Sequence, residues 1–205
     1  MIVRPRIFLI TGYARAGKNT VAKCVVERVR TPMIGFPRFF YCHELSFAQP
    51  IYAMIRTLFV QAGLNRLSDF EYYQTNKEKP IQLFGGKSLR YLLQTLGTEW
   101  GRTLINPTIW IDVLHSHINE LPDNATVVIT DCRFKDEHQL TLDYFNDGEV
   151  ALIYVERPNS LPQIQHASEQ DIQILKSRAD VIINNTGTIE ELQEKIDRVL
   201  DKWLA

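Results

Sequence analysis

The stretch FLITGYARAGKNTVAK, Phe8 to Lys23, sets Gly12 and Gly17 five residues apart and puts Lys18 directly after the second. Before it, Arg6 to Thr11 is an apolar, β-rich run. After it, Val21, Val25, Val26 and Val29 recur at helical spacing, so the stretch reads as a buried strand, a loop and a helix. Glycines in such a loop let successive backbone N–H groups turn inward, the helix N-terminus adds partial positive charge, and a lysine at this position reaches toward an anion. Gly12, Gly17 and Lys18 satisfy the phosphate-loop pattern up to its last position, where Asn19 replaces the usual Ser or Thr and Thr20 follows. The reading assigns Ala14, Arg15, Ala16, Gly17, Lys18, Asn19 and Thr20 to the phosphates of ATP. Thr20 is the candidate Mg²⁺ contact, although the metal can also be held largely by water and nucleotide.

The rest of the chain supplies the sheet this loop requires. TVVIT (Thr126 to Thr130), VALIYVE (Val150 to Glu156) and DVIIN (Asp180 to Asn184) read as strands. Helical patterns cover Phe134 to Phe145 and Ile189 to Leu204, the second opened by Thr188 with Glu191 three residues later as a capping box. Strands alternating with helices imply an α/β fold in three layers, with a mostly parallel sheet covered on both faces. A short strand is expected around Leu45 to Phe47. Residues 49–122 read as a helical insertion, and Arg157 to Arg178, with Pro158, Pro162, His166, Lys176 and Arg178, as a polar mobile lid. The chain is expected to be a single domain of 205 residues carrying these two excursions.

Composition narrows the classes. With 23 basic and 24 acidic residues the formal net charge is −1, which gives no support for a polynucleotide partner. No apolar run approaches the roughly 20 residues that span a bilayer, so a soluble, cytoplasmic protein without a membrane partner is expected. Cys24, Cys42 and Cys132 are too scattered for a metal cluster or a disulfide framework and are taken as free thiols. His115 and His117 are expected at the surface. TNKEK (Thr75 to Lys79) lacks the pattern that would select guanine, which disfavours a switch GTPase.

Two further stretches carry candidate chemistry. In VVITDCRFKDE, Asp131 lies just beyond a buried strand, where open parallel sheets present catalytic groups. It can polarise a metal-bound water, orient an arginine or simply cap a helix. Arg133 follows, and Glu137, one helical turn on, either orients that guanidinium or makes a surface ion pair. In SLRYLLQTLGTEWGR, Leu89, Leu92, Leu93 and Leu96 form one face at 100° per residue. Arg90, Gln94, Gly97 and Thr98 gather on the other: a guanidinium for a phosphate, an amide for a base edge, and a glycine that admits a ligand to the backbone. In NPTIWIDVL, Asn106 and Pro107 form a helix start, and Trp110 is either a stacking platform or a core residue.

Taken in order, these stretches, with VERP, HASE and DVIINNTGTIEEL, resemble the phage-type deoxynucleoside monophosphate kinases along nearly the whole chain. The resemblance implies a P-loop kinase fold, ATP as donor, Mg²⁺, and a deoxynucleoside monophosphate as acceptor, in the host cytoplasm if the chain is phage-encoded. It implies that Arg90, Gln94, Gly97, Thr98, Trp110, Asp131, Arg133 and Glu137 surround the acceptor, in the insertion's role as monophosphate-binding region. Tyr91 departs from the second basic residue common in that family, and Asn19 from its loop aspartate. The related animal-type phosphomevalonate kinases share the loop and the Asp-x-Arg element.

The expected reaction is in-line transfer of the γ-phosphoryl group. The acceptor's second pKa is about 6, so it is already a nucleophile at neutral pH and the task is positioning and charge neutralisation. Lys18, Arg90, Asp131 and Arg133 are the expected catalytic set, with Arg157, Lys176 or Arg178 as a late cation from the lid. The alternatives are a phosphomevalonate-type kinase, a nucleotide-binding protein without transfer, and a motor-type ATPase. The base accepted, the sugar preferred and the existence of a homodimer are left open at this level.

Overall fold

The computed structural model describes residues 6–30, 41–64, 67–145, 147–158 and 167–204. In chain order the elements begin with β1 (Ile7–Thr11), α1 (Lys18–Arg30), β2 (Cys42–Leu45), α2 (Gln49–Gln61) and α3 (Leu67–Thr75). Next come β3 (Pro80–Ile81), β4 (Lys87–Ser88), α4 (Leu89–Gln94), a π-helical segment (Thr95–Ile105) and α5 (Ile109–Asn119). The chain continues with β5 (Thr126–Ile129), α6 (Lys135–Phe145), β6 (Val150–Glu156), α7 (Ala167–Arg178), β7 (Val181–Asn184) and α8 (Ile189–Leu204). It divides into two compact units, one formed by Met1–Ser46 with Leu114–Ala205 and the other by Phe47–Val113.

The first unit holds a five-stranded sheet in the order β2-β5-β1-β6-β7, with every neighbouring pair parallel. Burial follows from that order. The central strands β1 and β5 are buried at every residue, and β6 is buried to its last, whereas the edges β2 and β7 alternate. Parallel strands covered on both faces lose the polar alternation of half-exposed strands, which is why IFLIT and TVVI read as continuous apolar runs.

Phe8 and Ile10 point to one face, where they join Val21, Val25, Val29, Ile153, Leu192, Ile196 and Leu200 in a core under α1 and α8. Arg28 of α1 pairs with Asp201 and Asp197 of α8, tying the two helices together at their solvent side. On the opposite face α6 and α7 pack on β6, with Ile172 and Leu175 of α7 buried. Within the stretch read as a lid, residues 167–178 form this helix; residues 159–166, including Pro162 and His166, lie outside the described residues. The capping box of α8 forms as read: Glu191 N donates to Thr188 Oγ1 at 3.3 Å and Thr188 N to the Glu191 carboxylate at 3.2 Å.

β1 joins β5 on one side and β6 on the other. Its carboxyl end is therefore the point at which neighbouring connections diverge, the place where open α/β sheets bind ligands. Among its described residues, the second unit is helical apart from the β3–β4 ribbon and its connecting turns. Phe59 sits at its centre, edge-on to Phe70, Tyr73 and Phe84 at 5.2 to 5.8 Å, with Ile51, Ile55, Leu89 and Trp110 around it.

Candidate functional site

The loop between β1 and α1 turns through positive φ at Gly12 (139°), Arg15 (64°) and Gly17 (94°). At Arg15 this conformation is sparsely populated for a residue with a Cβ and clusters at functional sites. Lys18 Nζ reaches back to the carbonyl oxygens of Gly12 and Tyr13, at 2.8 and 2.9 Å, so its ammonium group is held over the loop. Ala16 is fully buried, while Ala14, Arg15 and Asn19 are exposed and Gly17, Lys18 and Thr20 half-buried. Ala16 can therefore serve a ligand only through its backbone.

Two neighbours missed by the sequence reading brace this loop. Asn185, just past β7, donates from Nδ2 to Ala16 O at 2.9 Å, and its own amide donates to Glu156 O at 2.7 Å. A Cβ on Gly17 would lie 2.2 Å from that Nδ2, so any other residue there would displace the Asn185 amide as well as strain the backbone at φ 94°. Gln173 of α7 donates to the Tyr13 hydroxyl. The pair of polar residues ending DVIINN was the available signal for Asn185; nothing local marks Gln173.

At the same sheet edge, Ser46 Oγ donates to Asp131 Oδ2 at 2.8 Å. β2 spans Cys42–Leu45, so it ends two residues before the expected Leu45 to Phe47 stretch does, and Ser46 lies level with the end of β5 because Leu45 pairs with Ile129. Asp131 is not the cap of α6: that helix begins at Lys135, three residues beyond the position an N-cap at 131 requires. Glu137 takes the capping work. It is 2% exposed, which rules out the surface ion pair, and its Oε2 accepts from the amides of Arg133 (2.7 Å) and Phe134 (3.1 Å). The Arg133 side chain is exposed, so Glu137 positions the arginine through its backbone.

Lys176 pairs with Glu156 and lies 5.4 Å from the Tyr154 ring centre, and Arg178 contacts Gln139 at 3.5 Å. Arg157 is exposed. The oxygen-only set of the Thr20 hydroxyl, Asp131 and Ser46 suits Mg²⁺ chemically. Among the described residues no group of three or more His, Cys, Asp or Glu could hold an ion. These residues would fit a Mg²⁺ ion held mainly by water and nucleotide phosphates, with Thr20 or Asp131 as candidate protein contacts.

In the second unit the α-helical register stops at Gln94 and an eleven-residue π-helical segment follows. Arg90, Gln94 and Thr98 are exposed as expected, but Gly97 is buried. The reason is the i→i+5 pattern of the π-helix, which rotates residue 97 off the face that a constant 100° predicts. A Cβ there would meet Ile51 Cδ1 at 3.0 Å. Gly97 is therefore a helix-packing glycine, not an opening for a ligand. Trp110 is the core residue of its two readings: it is 3% exposed and donates from Nε1 to Gly97 O at 2.7 Å. α5 starts at Ile109, two residues later than the Asn106-Pro107 signal, with Asn106 Oδ1 instead accepting from Thr108 N at 3.1 Å. His115 is buried, against expectation, 3.2 Å from Thr141 Oγ1, while His117 is exposed.

All three cysteines are free and buried. Burial raises the Cys132 thiol well above its ordinary range, and the neighbouring Glu137 and Asp131 charges push the same way.

The family model for deoxynucleotide monophosphate kinase matches residues 40–196, more than half of the chain. The chain belongs to that family. The match begins after the phosphate loop, so loop geometry and family are independent observations. A protein of Acanthamoeba polyphaga mimivirus bearing the family's name is 29% identical over 204 residues, covering 94% of each chain. The deoxynucleoside-5'-monophosphate kinase of Escherichia phage T5 is 26% identical over 176 residues, 63% of this chain and 68% of its own. A dephospho-CoA kinase from Campylobacter jejuni aligns in structure over 97% of this chain and 96% of its own, at 15% identity and a TM-score of 0.47. A deoxynucleotide monophosphate kinase is a phosphotransferase, and no helix among the described residues is long and apolar enough to cross a membrane.

Proposed function

We propose that the chain transfers the γ-phosphoryl group of ATP to a deoxynucleoside monophosphate, giving ADP and the deoxynucleoside diphosphate. The observation that carries this is the braced loop: three positive-φ residues, a helix N-terminus and Lys18 converge on one point at the carboxyl end of β1, in a chain of this family. Lys18 and the loop amides hold the donor's phosphates. Asp131, which accepts from Ser46, faces the Mg²⁺ water shell or orients an arginine, and Arg133 offers its guanidinium to the acceptor phosphate and the charge that develops on transfer. Mg²⁺ when bound neutralises the bridging phosphate oxygens. The chain itself needs no general base, because the acceptor is already anionic.

Within 47–113, Arg90 and Gln94 of α4 and Thr98 of the π-helical segment are exposed and suit a phosphate and a base edge. Gly97 and Trp110 support that surface from inside. Trp110→Ala then harms every acceptor equally, so it does not separate a nucleotide kinase from a phosphomevalonate-type kinase. The acceptor panel does. ADP release should be stimulated by one or more deoxynucleoside monophosphates and not by phosphomevalonate. Slow ATP hydrolysis that no monophosphate changes would show binding without transfer and end the proposal.

A further inference from the structure

Helix α4 (Leu89–Gln94) carries a single basic residue, Arg90. Next to Arg90 stands Tyr91, whose ring is covered by Lys87 at 4.5 Å, and a phosphate monoester near neutrality carries close to two negative charges. Within 47–113, a second cation beside Arg90 would share that charge. The turn after α3 supplies one: Gln74, Thr75, Asn76, Lys77, Glu78 and Lys79 line a cleft of about 450 Å³ together with Arg90, a volume in the range of small-molecule sites. Its lining holds three cations and one carboxylate. The turn is tied to the helix through its backbone, since Arg90 N donates to Lys77 O at 2.9 Å.

Both cations are oriented. Lys77 Nζ donates to the Tyr52 hydroxyl at 2.6 Å and lies 5.3 Å from that ring's centre, which occupies one of its three N–H donors. Arg90 Nε donates to Glu78, which fixes the plane of the guanidinium and leaves its terminal amino groups for the two-pronged grip that phosphates favour. Lys79 is held against Tyr72 at 4.9 Å. A simple surface ion pair between Arg90 and Glu78 would not explain why two more ammonium groups, each seated on a tyrosine, share the cleft.

We infer that Lys77 and Arg90, oriented by Tyr52 and Glu78, form the subsite for the acceptor's 5'-phosphate, with Lys79 at its rim. The inference rests on the activity proposed above and adds the residues that read the phosphate rather than the base. Lys77→Met keeps the length of the side chain and removes its charge. It should raise the KM for the deoxynucleoside monophosphate by about 10- to 100-fold, the range of a hydrogen bond to a charged group. The KM for ATP and the inhibition constant of the unphosphorylated deoxynucleoside should stay within about twofold, and Lys77→Arg should recover most of the loss.

Glu78→Gln separates orientation from charge. Removing a carboxylate beside a dianion strengthens binding if Glu78 matters only as a charge, whereas loss of its hold on Arg90 weakens it; we expect the acceptor KM to rise. An acceptor KM within about twofold of wild type in Lys77→Met, or a lowered one in Glu78→Gln, overturns the subsite. A wild-type protein that phosphorylates no deoxynucleoside monophosphate overturns the activity itself, and is read before any variant.

Discussion

A methyl group on Gly12 would stand 2.4 Å from the carbonyl oxygen of Val155, and one on Gly17 would stand 2.2 Å from Asn185 Nδ2. The first obstacle is backbone of a central strand and cannot give way; the second is the end of a side chain. Gly12→Ala should therefore cost stability, about 1–3 kcal/mol from the strained φ alone, visible as a lowered melting temperature. Gly17→Ala should leave the melting temperature nearer to wild type but raise the KM for ATP, because Asn185 must release Ala16 O. Equal losses of stability in the two would show that Asn185 is not what the loop leans on. Lys18→Met should reduce kcat at least about 100-fold, the scale of losing one preorganised charge contact in phosphoryl transfer, with the melting temperature retained. Gly12, Gly17 and Lys18 are readable in the sequence because local backbone demands name the residue type. Asn185 and Ser46 are not, because their importance comes from partners 169 and 85 residues away.

At the scale of elements, α8 depends on its start. Thr188→Ala removes the oxygen that accepts from Glu191 N and should destabilise the protein by about 0.5–2 kcal/mol, measured by urea unfolding with an unchanged slope. The π-helical segment is the element the sequence hides. Its residues alternate as an amphipathic α-helix does, and the extra residue per turn is accepted because Gly97 and Gly101 allow close packing. A Cβ on Gly101 would meet the Trp110 ring at 2.4 Å. Trp110→Phe keeps the ring but strands the buried Gly97 carbonyl, for a cost of about 1–3 kcal/mol, while Trp110→Ala adds a cavity and costs about 3–5 kcal/mol. If the two variants unfold alike, the indole N–H has no part in holding the segment.

For the whole molecule, burial of thiols ties stability to alkaline pH. Burial, partly opposed by Arg30, pushes Cys42 from 9.0 to about 11, and Cys24 and Cys132 are also raised. In the unfolded chain these thiols ionise near 9, so the unfolded state binds fewer protons than the native state above that pH. The thiol contribution to stability is full below pH 9 and is lost as pH rises through about 11. Urea midpoints measured from pH 8 to 11 should fall across that window, and a variant with Cys42→Ala should fall less steeply.

By itself the sequence determined the parallel sheet, the loop that opens α1, the cap of α8 and the exposed side of Arg90 and Gln94. These follow from period, turn chemistry and apolar runs, which act over a few residues. The tertiary structure decided what packing alone can assign: Trp110 and Gly97 inside rather than against a ligand, Glu137 buried on backbone amides, His115 in the core, α7 folded onto the sheet, and Lys77 beside Arg90. Each of those depends on which distant surface a side chain meets, and a meeting across tens of residues leaves no periodic trace in the chain.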